Sequence, residues 1–111
     1  MSRREYLRYK ETARALVKSR LALYNQVYKF KVNRVAIKNH KSRWGSASKK
    51  GNLNFNYKVA LLSADMADYV IVHELCHLGE FNHSPRFWKL MAVTMPNWKV
   101  VRNKFKKYII R

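Results

Sequence analysis

Residues 73–83 concentrate the side chains that could do chemistry. His73-Glu74-Leu75-Cys76-His77 places two imidazoles four residues apart with a carboxylate between them. On an α-helix, residues i and i+4 stack on one face, so both rings can reach a single metal ion at about 2.0–2.1 Å. Glu74 follows His73 directly and so stands beside such an ion rather than on it. There its carboxylate can take a proton from a water that the ion activates. A divalent ion lowers the pKa of that water to roughly 7 and polarises the carbonyl under attack. A pair of hydrogen-bonded core histidines is the competing explanation of the pentapeptide. Its position in a locally acidic stretch favours the metal.

A hydrolytic centre needs a third ligand and an open position for water. His83 lies six residues after His77, beyond Gly79, where the chain can turn back. The spacing matches the H-E-x-x-H-x-x-G-x-x-H pattern of metzincins, with Glu80 at the glycine position. Glu80, three residues after His77, is a rival ligand. The remaining histidine, His40, falls between a strand and a loop and reads as exposed. Cys76 is the only cysteine. It reads as a small core residue, and it excludes an intrachain disulfide framework and a four-cysteine zinc module.

The elements that must hold these residues follow from periodicity. Ser2-x-x-Glu5 reads as a capping box. Behind it Tyr6, Tyr9, Ala13, Leu16, Val17, Leu21 and Tyr24 recur at helical spacing, which predicts one long amphipathic helix over 3–28. Val35 and Ile37, then Leu53, Phe55, Tyr57 and Val59, alternate with polar residues, which predicts two strands. The Ser/Lys/Gly-rich stretch 45–52 between them predicts a loop and an antiparallel hairpin, with Asn56 on the polar face. Residues 64–78 are apolar nearly all round, as in a buried helix capped by Ser63 or Asp65 and stopped near Gly79. Ser84-Pro85 opens a helix to Met95, with Trp88 in its core. After Pro96 a basic helix carries Trp98, Val101, Phe105, Tyr108 and Ile109. The expectation is an α+β fold in one domain over 1–111, built from a long N-terminal helix, a small antiparallel sheet, the buried motif helix and two C-terminal helices.

Charge is the outlying feature of the composition. Twenty-four Lys and Arg face six Asp and Glu, a formal net charge of +18 in 111 residues. That field attracts polyanions, nucleic acid first and an anionic membrane surface second, or is simply a solubilising surface. Residues 1–58 hold sixteen of the cations and residues 86–111 the other eight. Residues 59–85 have none and hold Asp65, Asp68, Glu74 and Glu80, as expected of a cation site. Candidate nucleic-acid contacts are Arg4, Arg8, Arg14 and Lys18 on the first helix and Lys99, Arg102, Lys104, Lys106 and Lys107 on the last. An apolar fraction of 48% excludes a disordered tail. No run is long enough for a membrane span or signal peptide, so the expected location is the cytoplasm and the default state a monomer.

Four segments in order carry a specific resemblance: Lys41-Ser42-Arg43-Trp44-Gly45-Ser46, Lys50 to Asn56, Asp68 to His77, and Asn82-His83-Ser84-Pro85-Arg86-Phe87-Trp88. From about Tyr6 onward the sequence resembles the YgjP-like metallopeptidase domain, a relative of the SprT and WLM metalloproteases. The resemblance implies a zincin-like fold, Zn2+ bound by His73, His77 and His83, Glu74 as the catalytic residue, and a protein or peptide substrate. It also places Arg43 and Trp44 near the site, as candidate contacts to an anionic substrate group or a developing oxyanion. Ala47 stands where the family usually has cysteine, so no thiol acts there. Members commonly carry a β-rich segment ahead of the first helix, and none is read here. The expected function is zinc-dependent peptide hydrolysis on or near nucleic-acid-bound proteins. The alternatives are a metal-dependent nucleotide hydrolase and a nucleic-acid-binding module with structural zinc.

Overall fold

A computed structural model describes residues 3–106. Ser2 of the expected capping box and Lys107, Tyr108 and Ile109 of the last helix lie outside the described residues. The elements are α1 (Arg3–Tyr28), β1 (Arg34–Lys38), β2 (Gly45–Ala47), β3 (Asn52–Asn56), a 3-10 turn (Tyr57–Leu61), α2 (Ala64–Cys76), α3 (Pro85–Thr94) and α4 (Trp98–Phe105). This is the expected α+β class, four helices with one small sheet.

α1 spans the residues that its periodicity predicts and buries Ala13, Val17 and Leu21. It stops at Lys29, which adopts a left-handed φ of 59°. There the Asn25 side chain binds both the N–H and the carbonyl of Phe30, at 2.9 and 2.8 Å, which satisfies groups that the helix leaves open. α2 is apolar on all sides because it serves two cores. One face packs Val70, Ile71 and Leu75 against α1 and the sheet residues Ile37, Leu53 and Phe55. The other packs Met66, Tyr69, Val72 and Cys76 against Phe87, Met91 and Met95 of the α3 segment and Val101 of α4. Each fully buried side chain of this kind contributes roughly 1.5–3 kcal/mol, and α2 is thereby clamped along its length.

The sheet departs from the expected hairpin. Its order is β1-β3-β2, with β1 parallel to β3 and β2 antiparallel to it. The hairpin is β2–β3, and the stretch 45–52 holds a strand and a turn rather than a loop alone. Gly51 closes that turn at φ +87°, where its N–H donates to the Ser48 carbonyl at 3.0 Å. A Cβ at Gly51 would meet the Lys31 carbonyl at 2.8 Å, so only glycine fits both demands. Alternation states which face of a strand is buried, not which neighbour it takes or in which direction. The thirteen residues from Asn39 to Gly51 are long enough to return the chain for a parallel pairing.

The second strand also ends earlier than expected. Asn56 is fully buried, not on the polar face. Its Nδ2 donates to the carbonyls of His40 and Arg43 at 2.8 and 3.1 Å. Its Oδ1 accepts from the Lys58 N–H at 3.0 Å, capping the 3-10 turn that replaces the strand at Tyr57 and Val59. This one side chain pins the segment 40–43 that leads into β2. His40 is therefore half-buried rather than exposed, and burial pushes its pKa down.

Candidate metal centre

α2 brings His73 and His77 onto one face at its C-terminal end. The regular helix ends at Cys76, two residues before the expected Leu78, and His77 is its cap residue. The N–H groups of Leu78, Gly79 and Glu80 then bond back to the carbonyls of Leu75 and Cys76, all at 3.0 Å, which turns the chain sharply. After that turn His83 comes back over the helix face. Its Nε2 lies 3.1 Å from His77 Nε2 and 3.1 Å from His73 Nε2.

The other ring nitrogens decide what these three can do. His77 Nδ1 lies 3.1 Å from the Glu80 carbonyl, which can only accept, so Nδ1 carries the proton and Nε2 presents a lone pair. His73 Nδ1 faces Glu74 Oε2 at 3.3 Å, with the same consequence for its Nε2. Lone pairs therefore converge on one point, an arrangement that a cation satisfies and neutral imidazoles alone do not. Tetrahedral ligation at 2.0–2.1 Å would separate neighbouring nitrogens by about 3.3 Å, close to the 3.1 Å found. Among the described residues this trio is the one group of three His, Cys, Asp or Glu side chains that could hold a metal ion. The Glu80 side chain is not in it; Glu80 contributes its backbone to the orientation of His77. Burial, and the neighbouring imidazoles, push the pKa values of His77 and His83 down, which favours the neutral rings that a metal ion can bind.

The expected acidic cation site divides. Asp68 accepts two bonds from Arg20, from Nε at 2.9 Å and Nη2 at 2.7 Å, and one from the Tyr24 hydroxyl at 2.8 Å. Asp65 is paired with Lys104. These acids answer cations of the chain itself and tie α1 and α4 to α2. Glu74 alone of the four stands at the histidines with its carboxylate, and it is 7% exposed.

A cavity of about 310 Å³ opens beside the trio, lined by Trp44, Gly45, Tyr69, Val70, His73, Glu74 and Phe105. Trp44 and Phe105 meet edge to face at 5.8 Å and Tyr69 packs on Phe105 at 5.4 Å. Trp44 is thus at the site. Arg43 is exposed and is not in the lining. Gly45 makes the approach of β2 to α2 possible, because a Cβ there would sit 2.9 Å from Glu74 Cγ. Burial pushes the Tyr69 hydroxyl up to about 12, so it remains protonated. Trp88, expected in the core, is half-buried and stacks on His83 at 5.8 Å. Cys76 is fully buried with its thiol pushed up to about 11 by burial, a core residue as expected.

Sequence reasoning missed Tyr69, Gly45 and Phe105. Tyr69 had a signal, since it precedes His73 by four residues and so shares its face. Phe105 had none. Of the candidate polyanion contacts, Arg4, Arg8, Lys18, Lys99, Arg102 and Lys106 are exposed, whereas Arg14 pairs with Glu11 and Lys104 with Asp65. Lys107 lies outside the described residues. No helix among the described residues is long and apolar enough to cross a membrane.

Comparison with known structures finds the same architecture in two metallopeptidase zymogens. Abylysin of Pyrococcus abyssi superposes with a TM-score of 0.73 at 23% identity, over 82% of this chain and 92% of that one. Jannalysin of Methanocaldococcus jannaschii gives 0.65 at 23% identity, over 86% and 94%. Comparison with curated protein sequences gives no match. The model of the YgjP-like metallopeptidase domain matches residues 3–108. With nearly the whole chain covered, this protein belongs to the YgjP-like metallopeptidase family and is a metal-dependent peptidase.

Proposed function

We propose that the metal is zinc, held through Nε2 of His73, His77 and His83, and that Glu74 is the general base for hydrolysis of a peptide bond. The convergence of three histidine Nε2 atoms beside a buried carboxylate carries this reading. When bound, zinc supplies a Lewis acid that activates water near neutral pH and polarises the scissile carbonyl. Glu74 accepts the proton of the attacking water and passes it to the departing amine nitrogen. Tyr69, held protonated by burial, donates a hydrogen bond to the substrate from the cavity wall. Trp44 and Phe105 receive an apolar side chain, and Arg43 is free to contact the peptide outside the cavity.

The test is metal content and turnover together. Purified protein should carry one zinc per chain, and chelation should abolish cleavage of a disordered protein substrate until zinc is returned. His83→Ala should lose the metal and Glu80→Ala should retain it. The reverse pattern would exchange the third ligand.

The exposed cations supply the finer part of the proposal, that the peptidase works on or near nucleic acid. Arg4, Arg8 and Lys18 on α1, Lys99 on α4 and Lys106 at its C-cap have no ion-pair partner among the described residues. If some six phosphates are neutralised, affinity for DNA falls by about 10³ between 50 and 200 mM salt, whatever the base sequence. Anisotropy of labelled DNA across a salt series measures this. A flat series would reduce the charge to a solubility feature.

A further inference from the structure

A stack of rings stands against the histidine trio, with a cation on it. Trp98 lies on Trp88 with centroids 4.1 Å apart and planes at 18°. Trp88 in turn stacks on His83 at 5.8 Å and lies 6.3 Å from His73. The guanidinium of Arg102 sits over Trp88, 5.2 Å from its centroid. Arg102 belongs to α4, one turn before Phe105 of the cavity wall. It thus lies over the ring that backs one histidine, on the helix that also supplies Phe105 to the cavity wall.

This cation has no counterion within the described residues. The contrast with its neighbours is informative. Lys104, two residues on, is paired with Asp65, and Arg20 and Arg14 are paired with Asp68 and Glu11. A guanidinium lying over an indole is restrained there by its face, while its N–H edge stays available. That edge fits a carboxylate through two parallel hydrogen bonds.

We propose that Arg102 is a specificity-determining residue that receives a carboxylate of the substrate, so that peptides with an anionic group near the scissile bond are preferred over neutral ones. The proposal rests on the peptidase reading above. The carboxylate is either an acidic side chain or the free C-terminus of the peptide, and the same chemistry serves both.

The experiment measures binding and turnover separately, at 150 mM salt so that the general attraction of the +18 surface is screened. Labelled peptides of one sequence carry Glu, Gln or Lys beside the scissile bond, each with a free or an amidated C-terminus. Their affinities are read by anisotropy on the Glu74→Gln protein, and kcat/KM on the protein with Glu74 intact. The acidic peptide should bind about tenfold more tightly than its neutral counterpart. Arg102→Ala should erase that difference while leaving the neutral peptide unaffected, Arg102→Lys should keep part of it, and Arg102→Glu should reverse it toward the lysine peptide. Lys49→Ala, a change in the exposed turn between β2 and β3, should leave the preference intact. A preference lost on amidation identifies the C-terminus, and one that follows the glutamate identifies a side chain. Equal binding of all peptides, equal loss for acidic and neutral peptides in Arg102→Ala, or an equal effect of Lys49→Ala would overturn the proposal. Cleavage without discrimination removes Arg102 and leaves the peptidase. Discrimination in binding without cleavage of any peptide removes the hydrolysis and leaves Arg102 selecting anions.

Discussion

The two walls of the cleft are built by different means. One wall is a single helix: His73, Glu74, His77 and Tyr69 all come from thirteen-residue α2 and the cap that follows it. The other is assembled from Trp44 and Gly45 near β2 and Phe105 at the end of α4, 61 residues away (105 − 44). The helical wall owes its geometry to the backbone repeat, so residues four apart must share a face. The assembled wall owes its geometry to packing, and each part depends on a neighbour that the local sequence does not name. The difference predicts how each responds to substitution. Changes on the helical wall should remove chemistry and spare structure. Changes on the assembled wall should act through position.

The largest effect should come from the helical wall. Glu74→Gln preserves size and, with Gly45 opposite, the packing, but removes the proposed base. The expected loss in kcat is at least about 10², with zinc content and melting temperature kept. Turnover by a metal-loaded Glu74→Gln protein at the normal rate would remove Glu74 from the reaction and leave the helix merely a metal holder.

Gly45→Ala should follow, at about tenfold in kcat with the metal retained. The added methyl would press on the Asn54 carbonyl at 2.9 Å and on Glu74 Cγ at 2.9 Å, with Oε2 at 3.2 Å. The Asn54 oxygen belongs to the β3 ladder, so the Glu74 side chain is the freer of the two to yield. A double-mutant cycle separates position from general damage. In the Glu74→Gln background the same methyl should cost little further activity. A full tenfold loss in both backgrounds would mean that Gly45 acts on the sheet and not through Glu74.

The same division explains what could be read in the sequence. α1 and α2 were legible because a period of 3.6 is written in adjacent residues, and so was the metal motif that rides on one of them. β2 was not, since Gly45-Ser46-Ala47 is three small residues with no alternation to read. Its pairing with β3, and the parallel pairing of β1, are settled by the long connection and by the second use of α2 as a floor for the sheet. Asn56 shows the limit most clearly. In the alternating run it counts as one more polar residue, yet it is buried, where its side chain satisfies two carbonyls of the 40–43 segment. The acidic stretch misled in the opposite direction. Its clustering in sequence suggested one site, but Asp65 and Asp68 point along other faces of α2 to Lys104 and Arg20.

The smallest effect should come from that Asp65–Lys104 pair, which joins α4 to the start of α2. The hydrogen bond from Lys104, helped by Ser63, holds the Asp65 carboxyl down at about 2, below its usual 3.8. A lowered folded pKa means stability that is complete above the usual carboxylate range and lost as pH falls through about 2. The pair is exposed, so water and salt screen most of it. Lys104→Met should therefore lower the melting temperature only slightly at neutral pH. The curves of variant and unaltered protein should converge as the pH approaches 2, and both should converge at neutral pH in high salt. Because α4 also carries Arg102 and Phe105, the variant asks whether this pair merely adds to stability or sets the assembled wall in place. Unchanged kcat/KM assigns the wall to the apolar packing of Val101 and Phe105. A loss of activity larger than the loss of stability would show that a surface ion pair outside the motif sets the shape of the cleft.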